Sequence, residues 1–199
     1  MKEKIFAHSV GRHQLFQIEE IVRTKKLMKV GNAEAYYMLA GCYAQGIKGL
    51  SRDMNKANEL LLKAGELGCA VAYFNLGNLY LVGNGVEVDK RKVKYYHELA
   101  AMMGFADARH NLGVLEAEGQ AGNYDRASFE RSKHFILAAR DGYEASLGIV
   151  KVGFKEGMVT KDEFANTLRA YHERQKEMKS EMRDRAASSG NFSSGLGVL

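Results

Sequence analysis

The chain repeats itself. Four stretches, GNAEAYYMLAGCY from Gly31, GCAVAYFNLGNLY from Gly68, GFADARHNLGVLE from Gly104 and GYEASLGIVKVGF from Gly142, start 37, 36 and 38 residues apart. A period of this length restricts the fold to stacked supersecondary units, because one unit cannot bury its apolar face alone. Four places after each glycine stands a small residue: Ala35, Ala72, Ala108 and Ser146. Four places further comes a large apolar one: Leu39, Leu76, Leu112 and Val150. Ala40, Gly77 and Gly113 follow directly, with Lys151 breaking the pattern. These spacings put the residues on one helix face. A glycine costs about 1 kcal/mol inside a helix, so Gly77 marks a place where a neighbour packs closely.

The second half of each repeat is also helical. DMNKANELLLKAGELG from Asp53 carries Ala57, Leu60, Leu61 and Ala64 as its apolar face. In DKRKVKYYHELAAMMG, Val93, Tyr96, Ala100 and Met103 form one stripe, Asp89 suits the N-cap, and Gly104 suits the left-handed end. The third copy, NYDRASFERSKHFILAARDG, is longer in the middle and degenerate. In the fourth, VTKDEFANTLRAYHERQKEM, Thr160 and Glu163 make a capping box. Each unit reads as helix, short glycine turn, helix.

The expected fold is therefore all-α. It is an α–α superhelix, or solenoid, of four helix-turn-helix repeats between an N-terminal helix and a C-terminal capping helix. Residues 1–30 form the basic N-terminal cap, with 13–30 as one helix. The repeats occupy 31–67, 68–103, 104–141 and 142–160, the last with its partner helix following. Residues 161–187 form the capping helix, and 188–199 a disordered tail. On the capping helix Phe164, Leu168, Tyr171, Gln175, Met178 and Met182 recur by four and three. That stripe suits a terminal cap or a short coiled-coil seam for self-association.

Composition agrees. The chain has 46% apolar and 27% charged residues, as a folded soluble protein does, and no proline, so its 21 glycines must make the turns. The net charge of +5 is local. Residues 1–30 hold seven Lys/Arg against three Asp/Glu, mainly Arg23, Lys25, Lys26 and Lys29, whereas 31–143 hold thirteen of each sign. A nucleic-acid binder more often carries a basic stripe across its body, so these residues read first as a solvated helix face. Cys42 and Cys69 are the only cysteines. With no signal-peptide core and no transmembrane run, they read as free thiols in a reducing compartment, cytoplasmic or nuclear.

No catalytic, cofactor or metal constellation emerges. Gly83-Asn84-Gly85 follows a helix rather than a strand and lies outside any Walker or G-x-G-x-x-G context, so it reads as a turn. His97-Glu98 begins like a zincin helix, but Ala101 stands where the second histidine belongs. The six histidines show no metal-ligand spacing.

The pattern A-x-A-Y-x-N-L-G-x-L-Y-x-x-G-x-G-V-x-x-D from Ala70 to Asp89, continued by Ala100, Ala101 and Gly104, resembles the Sel-one-like repeat, a relative of the tetratricopeptide repeat. The resemblance covers residues 31–160, nearly complete in the second copy and good in the first. The third keeps ARHNLG and Ala138-Ala139-x-x-Gly142 but loses the G-x-G turn, and the fourth has Val150 and Lys151 in place of Leu-Gly. The resemblance implies a non-enzymatic adaptor that holds a peptide or partner protein in the concave groove of a right-handed superhelix. Such proteins act in quality control at the endoplasmic reticulum or in signalling.

Ala35, Leu39, Cys42 and Tyr43 must face the core. The side turned away carries Tyr37, Gly41 and Ala44, then Phe74, Asn78 and Leu81, then His110, Val114 and Ala117. By the resemblance these positions line the groove, with Asn75 and Asn111 at its edge, where an amide pairs with a peptide backbone. The candidate partner-binding set is Tyr37, Phe74, Asn75, Asn78, Leu81, His110 and Asn111, with packing between adjacent repeats the alternative for Phe74 and Leu81 and a structural hydrogen bond the alternative for Asn75 and Asn111. Some extracellular relatives staple their hairpins with disulfides, which makes a Cys42–Cys69 pair the alternative to free thiols. The alternative function is nucleic-acid or anionic-surface binding through the basic N-terminal helix.

Overall fold

The structure is a computed structural model that describes the backbone of residues 2–118 and 127–190 and the side chains of 15–116 and 133–186. Among the described residues it is all-helical. The helices are α1 (Lys2–Lys29), α2 (Ala33–Gln45), α3 (Met54–Glu66), α4 (Ala70–Val82), α5 (Lys90–Met102), α6 (Ala106–Glu118), α7 (Ala127–Arg140), α8 (Glu144–Lys155) and α9 (Lys161–Gly190). α9 runs past the expected boundary at 187. The lengthened middle of the third copy (119–126) and residues 191–199 of the tail lie outside the described residues.

Successive repeats turn by the same chemistry. α2 ends on Gly46 at φ 67° and α4 on Gly83 at φ 73°, each glycine N–H bonding a carbonyl of the last turn, Cys42 or Leu79. Left-handed backbone of this kind favours glycine. The chain then returns so that the Asp53 N–H meets the Tyr43 carbonyl at 2.9 Å and the Asp89 N–H meets that of Tyr80 at 3.1 Å. Both aspartates cap the next helix, Asp53 at the Lys56 N–H and Asp89 at those of Arg91 and Lys92. Gly83-Asn84-Gly85 is thus an interhelical turn. It leans on the preceding pair, since a Cβ on Gly85 would lie 2.6 Å from Met54 Cβ.

The chain divides into two compact units, residues 1–108 and 109–199. In the first, α1 packs through Ile21 against Leu39 and Cys42 of α2, and Lys48 pairs with Glu20 to tie α1 to the α2–α3 turn. Ala40, Leu61, Ala64, Ala72 and Leu76 form a second cluster. At the small position beside each conserved-spacing apolar residue, size is traded between helices. Ala40 shares its cluster with Leu61, whereas a Cβ on Gly77 would lie 2.4 Å from the His97 ring. The α5 stripe differs from expectation here. Val93 and Ala100 are buried, but Met103 is 39% exposed, because the helix ends at Met102 and Met103 turns the chain. His97, with no exposed surface, takes the interior position.

In the second unit, a Cβ on Gly113 would lie 2.7 Å from the Phe135 ring. Phe135, Ile136, Ala139, Leu147, Val150 and Val159 form the core, and Phe164, Leu168 and Tyr171 of α9 pack onto it. Lys151 is exposed, and the close approach moves to Gly153, whose Cβ would meet Val159 at 3.2 Å. Further along α9, Gln175 Nε2 donates to the Gly142 carbonyl at 3.0 Å. Met182, at 70% exposure, lies on the open end of the same stripe. The capping box forms in both directions: the Glu163 N–H donates to Thr160 Oγ1 at 3.2 Å, and the Thr160 N–H to Glu163 Oε2 at 3.1 Å.

Candidate functional site

α2 and α4, the first helices of adjacent pairs, border a cavity of about 480 Å³. Ala40, Ala57 and Leu61 give it a buried apolar floor, and Met38, Leu79 and Val82 contribute apolar walls. Tyr37, Gln45, Asn75 and Asn78 supply its polar atoms, and no charged residue lines it. Gly41 lies on the α2 side, where an added Cβ would meet nothing within 4 Å.

Two hydrogen bonds order the polar groups. Asn75 Nδ2 donates to the Tyr37 hydroxyl at 3.3 Å, from α4 to α2. Asn78 Oδ1 lies 3.3 Å from His97 Nε2. Loss of water around His97 pushes its pKa down to about 4, with a weaker opposing effect from the Phe74 backbone. The ring is therefore neutral near pH 7, and because an amide oxygen only accepts, the Asn78 contact requires the tautomer with its proton on Nε2, which leaves the buried Nδ1 without a partner. The ring stacks on Phe74 at 5.4 Å and 23°.

Of the expected groove residues, Tyr37, Asn75 and Asn78 come together around this cavity, along with Gly41 and Ala44. Phe74 lies instead between His97 and Phe105, 5.1 Å from the latter. His110 packs in the second unit against Phe135 and Tyr143, and its Nδ1 lies 2.8 Å from the buried Ser146 hydroxyl. Asn111 is half-buried in α6. Leu81 is 44% exposed outside the cavity lining, and Val114 is also exposed. Met38, Leu79 and Val82 were not in the expected set. Their signal was present as spacing: 75, 78, 79 and 82 make one helical stripe, as do 38, 41 and 45.

Cys42 is buried between α1 and α2, and Cys69 is half-buried at the N-cap of α4; both thiols are free, and burial raises the pKa of each. No group of three or more His, Cys, Asp or Glu among the described residues is placed to hold a metal ion. No described helix is long and apolar enough to cross a membrane.

The family model of the Sel1 repeat matches residues 33–69 and 70–105, the two pairs α2–α3 and α4–α5, of which α2, α3 and α4 line the cavity. Sel1 repeats typically serve in protein–protein interaction, and their fold is generally a non-catalytic scaffold. The chain is 36% identical over 107 residues to the ERAD-associated E3 ubiquitin-protein ligase component HRD3B of Arabidopsis thaliana, covering 52% of this chain and 15% of that protein. It is also 27% identical over 89 residues to chitin synthase regulatory factor 3 of Schizosaccharomyces pombe, covering 45% of this chain, and so spans only 10% and 15% of these two relatives' lengths. Among solved structures, a Sel1 repeat protein from Oxalobacter formigenes superposes with a TM-score of 0.59 at 27% identity, over 66% of this chain and 97% of that one. A protective antigen of uropathogenic Escherichia coli with an SLR fold superposes with a TM-score of 0.61 at 28% identity, over 79% of this chain and 33% of that one. Residues 33–105 hold two Sel1 repeats.

Proposed function

We propose that the chain is an adaptor that binds a partner protein by taking an extended segment of it into the α2–α4 groove. The cavity carries this reading. At about 480 Å³ it falls within the roughly 300–1,000 Å³ range of ligand sites. Met38 and Val82 beside it are exposed, Val82 at 69%. Apolar side chains around a concavity with a few convergent polar groups suit a protein contact.

A random-peptide library displayed on phage tests the reading. Peptides selected on the wild-type chain are expected to bind Gly41→Phe at least tenfold more weakly, because the ring fills the cavity. The variant should melt no lower than wild type, since the added Cβ has room and a helical glycine is removed. Peptides that bind both proteins alike would place recognition elsewhere.

A second reading rests on α1, where Arg23, Lys25, Lys26 and Lys29 are all exposed. It is binding to an anionic surface or nucleic acid, and it requires an affinity that falls steeply with salt.

A further inference from the structure

The composition of the cavity narrows its occupant. No lining group carries a charge, so an acidic or basic anchor would lose its water without gaining a partner. The floor of Ala40, Ala57 and Leu61 is buried and apolar. The polar atoms of α4 come as a pair one helical turn apart, on one face. Asn75 spends an N–H on Tyr37 and keeps Oδ1 as an acceptor; Asn78 spends Oδ1 on His97 and keeps its NH₂ as a donor. A donor and an acceptor at this separation match the main-chain carbonyl and N–H that an extended peptide presents along one edge.

The donor is oriented from beneath. His97 occupies the place held by Leu61 in the first pair and Phe135 in the third, and only His97 offers a ring N–H. It reaches Asn78 over the notch left by Gly77. We propose that the cavity takes an uncharged, extended peptide segment through one bulky apolar side chain, with buried His97 as the positioning residue that aims the Asn78 NH₂ at the segment's main-chain carbonyl. This rests on the groove reading above. Phe135 over Gly113 shows that a phenyl ring fits such a notch, so His97→Phe removes the N–H while keeping the shape.

The test uses an uncharged peptide selected on the wild-type chain and an analogue with an ester in place of the amide at its apolar anchor, whose carbonyl is a weaker acceptor. Wild type should lose about tenfold in affinity on the ester, the scale of one hydrogen bond. His97→Phe should lose about tenfold with the amide peptide and nothing more with the ester. Asn78→Val, which copies Val114 of the next repeat, should behave likewise and keeps the cycle intact if His97→Phe does not fold. Independent, additive losses would overturn the proposal, as would selected peptides that bind through Asp, Glu, Lys or Arg. If no peptide is selected, or if Gly41→Phe leaves binding intact, the groove reading itself fails.

Discussion

At Gly77 a Cβ would come within 2.4 Å of the His97 ring, which has no exposed surface to retreat into. Gly77→Ala should gain about 1 kcal/mol of helix propensity and lose more to overpacking, for a net destabilisation of roughly 1–2 kcal/mol. The first repeat offers the repair. Gly77→Ala with His97→Leu recreates the Ala40 and Leu61 pair and should recover most of the loss, which denaturant unfolding of the singles and the double would measure. His97 also makes stability pH-dependent. Its pKa is about 4 in the folded chain against 6.5 otherwise, so the unfolded chain takes up the proton first. Stability from this group is complete above pH 6.5 and falls by about 3 kcal/mol as the pH drops to 4. The loss between pH 7 and pH 4 should be smaller in His97→Phe by about that amount.

At the level of elements, the helices are bounded by local chemistry that can be removed one piece at a time. The reciprocal bonds of Thr160 and Glu163 fix the start of α9, the helix that covers the second unit's core. Thr160→Ala should cost about 1 kcal/mol in unfolding free energy and loosen amide protection in the first turn of α9. An unchanged protection pattern would show that tertiary packing, not the cap, sets that helix start. Asp53 and Asp89 hold equivalent places in the two Sel1 repeats. The other end of α9 depends on what lies opposite: Gln175, which weakens a coiled-coil seam, instead satisfies the Gly142 carbonyl. An amide that looks like an interruption in a stripe becomes a cap for its neighbour.

For the whole molecule, charge and recognition separate. The excess of basic residues lies in positions 1–30, whereas the cavity lining holds no charge. Peptide affinity should therefore change by less than about twofold between about 50 and 500 mM salt. Deleting residues 1–30 would uncover the Ile21–Leu39–Cys42 cluster, so α1 is better tested by charge removal. Replacing Arg23, Lys25, Lys26 and Lys29 with Gln should leave peptide binding and melting temperature unchanged. Any affinity for duplex DNA or anionic vesicles should vanish in the same variant. Peptide binding lost together with those charges would favour the α1 reading over the groove.

The repeat, its helix pairs, its glycine turns and its caps were legible in the sequence because each follows from short-range spacing. Gly77 could be read as a close-packing site from its period alone. Which atom filled that notch could not, because His97 lies twenty residues away on a second helix and its meaning depends on the pairing. For the same reason Phe74 and His110 could be placed on a groove face by angle, yet tertiary packing turned both toward neighbouring rings. Tyr37, Asn75 and Asn78 met around one cavity because α2 and α4 stand side by side with Gly41 leaving room between them. Periodicity determines which residues share a helix face; only the docking of one helix against another decides whether that face is filled or left open.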